Sequence, residues 1–244
     1  MKSRFALAAL AAAIAGCVTA QGPTPRLMAD TRTEGPRRFA LTPLTEMTPE
    51  QRAVADAIMK GPRAAVGSPA AAPGATSLSS PFNVWNRSPE LADRLQKVGE
   101  YVRFKSSLPP RLNEFAILIV ARRWDSQYEW SAHHRLAMAG GLDPAVAEDL
   151  LQGRRPARMK ADEQIVYAFV SELIEHHAVS DALFASAVAA FGERGVADLI
   201  AVTGYYMLVA LTVNVDRTPI PNGGMPPLPP LGRLVVRPAQ GDSR

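Results

Sequence analysis

The sequence predicts an all-α fold, and three observations carry that expectation: where the prolines fall, where helix-start residues recur, and the lack of any alternating apolar–polar run of strand type. Proline inside a helix removes a hydrogen bond and clashes with the preceding turn. Ten of the 21 prolines of this 244-residue chain lie between residues 23 and 89, and only Pro144 and Pro156 lie between Arg111 and Thr218. Six more crowd between Pro219 and Pro230. The helical core therefore falls mainly between residues 88 and 218, inside a domain that begins with the helix at residue 48. Residues 21–47 read as an extended or flexible region, 61–80 as a flexible excursion rich in Ala, Gly, Pro and Ser, and 219–244 as a Pro-rich tail.

Start and stop signals mark each helix. Thr48-Pro49-Glu50-Gln51 offers an N-cap followed by proline at the first helical position, opening a helix to Lys60. Ser88-Pro89-Glu90 repeats that signal for a helix to Phe104. Pro109-Pro110 opens the next, which runs through Leu112, Phe115 and Ile119 to Trp124. A helix from Ser126 to Ala139 stops at Gly140-Gly141. Asp143-Pro144 caps a short helix to Gln152, Asp162-Glu163 starts one to His176, and Ser180-Asp181 starts one to Phe191. The last runs from Val196 to Val213 and is apolar around most of its circumference. That composition predicts burial on all sides, against the rest of the chain or against another subunit.

Composition removes several chemistries. A single cysteine among 244 residues excludes an internal disulfide, a multi-cysteine zinc site, an iron–sulfur cluster and a C-x-x-C redox pair. With 27 Lys and Arg against 23 Asp and Glu and no long basic run, a nucleic-acid partner is not expected. The first twenty residues read as an export signal: Lys2 and Arg4 precede an apolar stretch from Phe5 to Ala15, too short to span a bilayer, and then small residues follow. Two cleavage sites compete. Val18-Thr19-Ala20 suits ordinary signal peptidase, and Ile14-Ala15-Gly16-Cys17, the preferred reading, resembles the lipobox of bacterial lipoproteins. The chain is thus expected in the periplasm, with Cys17 as the lipid-carrying residue and membrane attachment through that lipid.

The chemistry sits on the helix from Ser126 to Ala139. Ser126, Glu129, His133, Leu136, Ala137 and Gly140 are spaced by three, four and seven and share one face. Glu129 and His133, one turn apart, can touch. A carboxylate beside an imidazole fixes its tautomer and suits general acid–base work; an ordinary surface Glu–His pair has the same spacing. His133 and His134 point about 100° apart and cannot chelate one metal side by side. His176-His177 ends a helix, where a cation suits the dipole. No Gly-rich phosphate loop and no Gly-x-Ser-x-Gly elbow is present. Neither a metal nor another cofactor is expected.

The segments Leu108-Pro109-Pro110-Arg111-Leu112-Asn113-Glu114, Tyr128-Glu129-Trp130-x-x-His133, Ala139-Gly140-Gly141-Leu142 and Gly204-Tyr205-Tyr206 with Asn214 resemble the carboxymuconolactone decarboxylase family. Its fold is shared with alkyl hydroperoxidase D. In the peroxidase branch the signature is Cys-x-x-Cys-x-x-x-His, with a proton-relay Glu twelve residues before the first Cys. Here Glu114 and His133 match that pattern, while Ser126 and Glu129 stand where the two cysteines would be. Peroxidase chemistry needs a peroxidatic thiolate and a resolving thiol, so it is not expected. The Glu-x-x-x-His of the decarboxylase branch is met by Glu129 and His133.

The resemblance implies a homotrimer or homohexamer acting on a small acid or lactone. His133 would be the acid–base group, oriented by Glu129, with Glu114 as a second relay step or as a surface partner of a neighbouring arginine. Tyr128, Trp130, Tyr205 and Tyr206 are candidates for pocket walls or for plain core. Arg111, Arg122 and Arg123 are candidates for a carboxylate clamp or for solvated surface. Two functional classes stay open: a lyase or isomerase of small carboxylated ring compounds, and a non-catalytic helical oligomer of the same fold.

Overall fold

The computed structural model describes residues 35–65, 72, 74–220 and 228–229. The export signal with Cys17, and most of the Pro-rich tail, lie outside the described residues. Those residues contain helices and no strand; Pro43 and Ser77 form a lone bridge. The helices are α1 (Pro49–Lys60), α2 (Pro62–Ala65), α3 (Phe82–Trp85), α4 (Pro89–Phe104), α5 (Pro110–Arg123), α6 (Gln127–Ala139), α7 (Pro144–Leu151), α8 (Ala161–His176) and α9 (Asp181–Asp216).

The start signals act as the sequence predicts. Thr48 Oγ1 accepts from the Gln51 amide at 3.3 Å and the Gln51 side chain accepts from the Thr48 amide at 3.0 Å, a reciprocal cap on α1. Asp143 caps α7 through the Ala145 amide at 2.8 Å. Gly192, with φ 68° and ψ 169°, interrupts α9 in a conformation that is essentially restricted to glycine. The two expected C-terminal helices therefore meet at a kink at Gly192 within α9.

Helix α5 is the centre of the domain. Leu112, Phe115 and every residue from Ala116 to Arg122 are buried, and α6, α7, α8 and α9 pack around it. Burial of such a helix on most of its circumference is the dominant stabilising term, about 1.5–3 kcal/mol for each large apolar side chain taken out of water. Two links fix α4 against this centre. Asn113 Nδ2 donates to the Val102 carbonyl at 3.0 Å, and Asp198 of α9 accepts from Tyr101 Oη at 3.0 Å and from the Ser107 amide at 2.7 Å. Gly99 allows the closest approach: a β-carbon there would stand 2.1 Å from Tyr205 Oη.

Three expectations need amendment. The described part of the region before residue 48, residues 35–47, is extended but held: the Arg38 amide donates to the Asp216 carbonyl, the Phe39 amide to Asp216 Oδ1, and the Leu44 amide to the Thr76 carbonyl. Within 61–80, both described ends are packed. Arg63 and Leu78 are buried, and Ser80 Oγ donates to the buried Asp216 carboxylate at 2.6 Å. The apolar C-terminal part of α9 is buried on one face only, through Val196, Leu199, Val202, Tyr206, Val209 and Val213. Ile200, Leu208, Leu211 and Val215 are exposed on the other.

Candidate functional site

Three helices bring the acid–base groups together. Glu114 lies on the first turns of α5, Glu129 and His133 lie one turn apart on α6, and Tyr206 faces them from α9. His133 Nδ1 stands 2.7 Å from Glu114 Oε2, a hydrogen bond in which the ring nitrogen donates. That bond directs Nε2 toward Glu129, whose Oε2 is 3.6 Å away. The Tyr206 ring meets the imidazole edge-on, with centroids 4.9 Å apart and planes at 83°. His133 is 6% exposed and Glu129 3%, so the pair operates in a desolvated setting.

Burial dominates the electrostatics. It pushes the Glu129 carboxyl above its usual range, and Glu114 adds to that push, while His133 and Arg103 oppose it. Glu129 Oε2 is buried and accepts no hydrogen bond from a described residue. Burial likewise raises the Tyr206 phenol well above its ordinary value, which keeps its proton available for donation. The constellation therefore holds a carboxyl whose burial raises its affinity for a proton, an imidazole with one nitrogen anchored, and a neutral phenol. Such a set can deliver a proton and stabilise oxygen charge.

The Glu129 shift sets a pH dependence. In the unfolded chain this carboxyl titrates near 4.5, and in the folded protein it holds its proton more tightly. The folded state therefore binds more protons than the unfolded chain above that value, and its stability declines as the pH rises from 4.5 toward the folded pKa. Glu129→Gln carries no titrating group. Its melting temperature is expected to exceed that of the natural protein near neutral pH, with the difference shrinking below about pH 4.5. Parallel thermal melts at several pH values measure this, and a constant difference across the range would contradict it.

The other candidates divide. Tyr205 packs on Tyr206 at 5.5 Å between centroids, one step from His133. Trp130 is fully buried and packs on His134 rather than His133, at 5.9 Å. Tyr128 is buried beside Glu129 in sequence, and burial first, then the charge of Glu129, push its phenol up to about 12. The arginine clamp takes a different form from the one expected. Arg111 is bound to Asp162 at 2.7 Å and to Glu163, closing α5 on α8. Arg122 is buried and bonded to Asp125 Oδ1 at 2.8 Å, two turns of α5 beyond Glu114 or roughly 12 Å along the axis. Arg123 reaches Glu175 at 3.8 Å on the exposed side. These three are committed to intramolecular pairs.

Ser126, at the position of the first cysteine of the peroxidase signature, is a buried N-cap residue of α6. The Pro-rich tail sends one described residue into the domain. Leu228 is buried, and Gln127 clasps its backbone with two hydrogen bonds of 2.9 and 3.1 Å. Sequence reasoning missed Arg103 of α4, whose charge acts on Glu129 and Tyr206. The available signal was Gly99 four residues earlier, since a glycine inside a helix marks a face that another element approaches closely.

No protein-family model and no curated protein matches the chain. Solved structures do. A peroxidase-related protein of Ralstonia eutropha JMP134, described as an alkylhydroperoxidase AhpD core of uncharacterized function, superposes with a TM-score of 0.62 at 14% identity, covering 78% of this chain and 94% of its own. An uncharacterized peroxidase-related protein of Silicibacter sp. TM1040 gives a TM-score of 0.58 at 14% identity, covering 76% and 93%. The fold is the AhpD-like helical fold.

Proposed function

We propose that this protein is a general acid–base catalyst, of the carboxymuconolactone decarboxylase kind, that decarboxylates or isomerises a small carboxylated lactone or related ring acid. The observation that carries the reading is His133 held between two carboxyl groups, Glu114 on Nδ1 and Glu129 opposite Nε2. Loss of carbon dioxide from a carboxylated lactone leaves a dienolate. Its electron pair spreads onto oxygen, where the Tyr206 phenol donates a hydrogen bond, and the carbon that lost the carboxylate then takes a proton from His133. Glu129, whose affinity for a proton burial raises, passes one to Nε2 in its place and regains one from solvent. Glu114 fixes the ring so that the same nitrogen always faces the reaction.

Peroxidase activity is disfavoured because the chain's one cysteine is Cys17, far in sequence from Ser126 and Glu129. Incubating the mature protein with carboxylated lactones, muconolactones and hydroperoxides tests the reading. Release of carbon dioxide or isomerisation of a lactone is expected, and thiol-dependent turnover of hydroperoxide would contradict it.

The second reading, a non-catalytic oligomer of the same fold, is favoured by the small exposure of His133 and Glu129. Both readings include self-association, supported by the exposed apolar side chains Ile200, Leu208, Leu211 and Val215 on one face of α9. Light scattering on the mature protein is expected to give the mass of a trimer or hexamer, and a monomer would overturn that part. The reading also places the protein outside the cytoplasm, with a lipid on Cys17. Metabolic labelling with a fatty-acid analogue is expected to mark the natural protein and not Cys17→Ser; labelling of neither would leave ordinary signal cleavage in its place.

A further inference from the structure

Behind Tyr205 and Tyr206 lie two guanidinium groups that form no ion pair with a described residue. Arg63, on α2, is buried, with its charge over the Phe82 face at 4.9 Å and Nη2 donating to the Gln96 carbonyl at 3.0 Å. Its Nη2 and the Tyr205 hydroxyl crowd the same point above Gly99, where a β-carbon would meet them at 2.9 and 2.1 Å. Arg103 lies one turn further along α4, so it extends the same side of the helix past Tyr205. Its charge rests against the Phe104 ring at 5.1 Å, and its Nε is buried without a hydrogen-bond partner among the described residues.

The nearby carboxylates do not neutralise the pair. Glu114 is engaged by His133 at 2.7 Å and Glu100 by Lys105 at 2.9 Å. Glu129 feels the Arg103 charge through space only, since no described carboxylate oxygen lies within ion-pair distance of Arg63 or Arg103. The Tyr205 and Tyr206 phenols are both pushed upward by burial and stay neutral. Two cations at least partly removed from water, beside neutral donors, form an arrangement that is incomplete until an anion enters. A planar guanidinium with a free Nε edge suits a carboxylate, which it can meet with two parallel hydrogen bonds.

We propose that Arg103, backed by Arg63, is the anion-binding residue of the site and takes the carboxylate of a small ring acid between α4 and the Tyr205–Tyr206 pair. This assignment deepens the acid–base reading and rests on it for the identity of the substrate class. It places the substrate's charge on the α4 side of Tyr205 and Tyr206, leaving the rest of the ring to face Tyr206 and His133.

Benzoate is a suitable probe, with benzamide as its uncharged counterpart, titrated calorimetrically into the mature protein. Benzoate is expected to bind, with benzamide weaker by roughly 10-fold or more. Arg103→Met is expected to lose benzoate affinity by roughly 10-fold or more while keeping its melting temperature, since Arg103 makes no hydrogen bond to a described residue. Equal affinity for benzoate and benzamide, absence of benzoate binding, or unchanged affinity in Arg103→Met would each overturn the assignment. Arg63→Met, which also loses the Gln96 bond, is read only where its circular dichroism matches the natural protein, and there it should weaken benzoate as well. Benzoate binding that depends on Arg103 in a protein that turns over no lactone would sink the acid–base reading and leave the anion site standing. Lactone turnover with an unchanged KM in Arg103→Met would do the reverse.

Discussion

Replacing His133 with Ala is expected to lower turnover of a carboxylated lactone by about 10²–10⁴-fold, the range by which a positioned general acid–base group accelerates a reaction. Among the described residues His133 is the one side chain that touches both carboxyl groups, so its loss removes the proton donor and the link between Glu114 and Glu129 together. The variant also gives up a charge-assisted hydrogen bond and leaves a small void, at a cost of about 1–3 kcal/mol. His133→Gln keeps most of the volume and separates the two effects. A turnover that falls in both variants while His133→Gln melts close to the natural protein supports the catalytic role. Undiminished turnover in a folded His133→Ala would remove it, and a variant that fails to fold in both cases would move His133 to the structural side.

The second large effect is on stability, at the turn between α5 and α6. Arg122 and Asp125 are both almost fully buried and bonded at 2.8 Å, and Asp125 adopts φ 46°, a left-handed conformation that Asp and Asn tolerate better than most residues. This turn sets the register between Glu114 on α5 and His133 on α6. Asp125→Ala removes a carboxylate from beside a buried guanidinium and puts alanine at a positive φ, for an expected loss of about 3–5 kcal/mol. Asp125→Asn preserves the backbone preference and isolates the charge. Chemical denaturation of the three proteins measures the effect, and a change below about 1 kcal/mol in Asp125→Ala would contradict it.

Much of the fold is legible in the sequence because its signals are local. Thr48-Pro49 and Asp143-Pro144 act on bonds within a few residues, and those bonds form in the structure. The segment 35–47 is not legible in the same way. Its order comes from Asp216, 177 positions away from Phe39, and from Thr76, and no local pattern announces a partner at that distance. The same holds for the site. Glu129 and His133 share a helix and their spacing is visible, whereas Glu114 reaches His133 from another helix and entered only through family resemblance.

The arginines show the limit most clearly. Arg111, Arg122 and Arg123 are clamp candidates by sequence, yet each has an intramolecular acid: Asp125 lies three residues from Arg122, while the partners of Arg111 and Arg123 come from α8 through packing. Arg63 and Arg103 lie in unremarkable stretches of sequence. Packing of α2 and α4 onto Tyr205, made possible by Gly99, is what brings them to the same place.

The central claim is that carbon, and not sulfur or peroxide oxygen, is the atom to which this site delivers a proton. Reaction of the mature protein with a carboxylated lactone in deuterium oxide tests it most directly, with the product read by mass spectrometry. The expected result is one deuterium incorporated for each carbon dioxide released, with both lost in His133→Ala. Consumption of hydroperoxide at the expense of a thiol, with the lactone left intact, would contradict the claim.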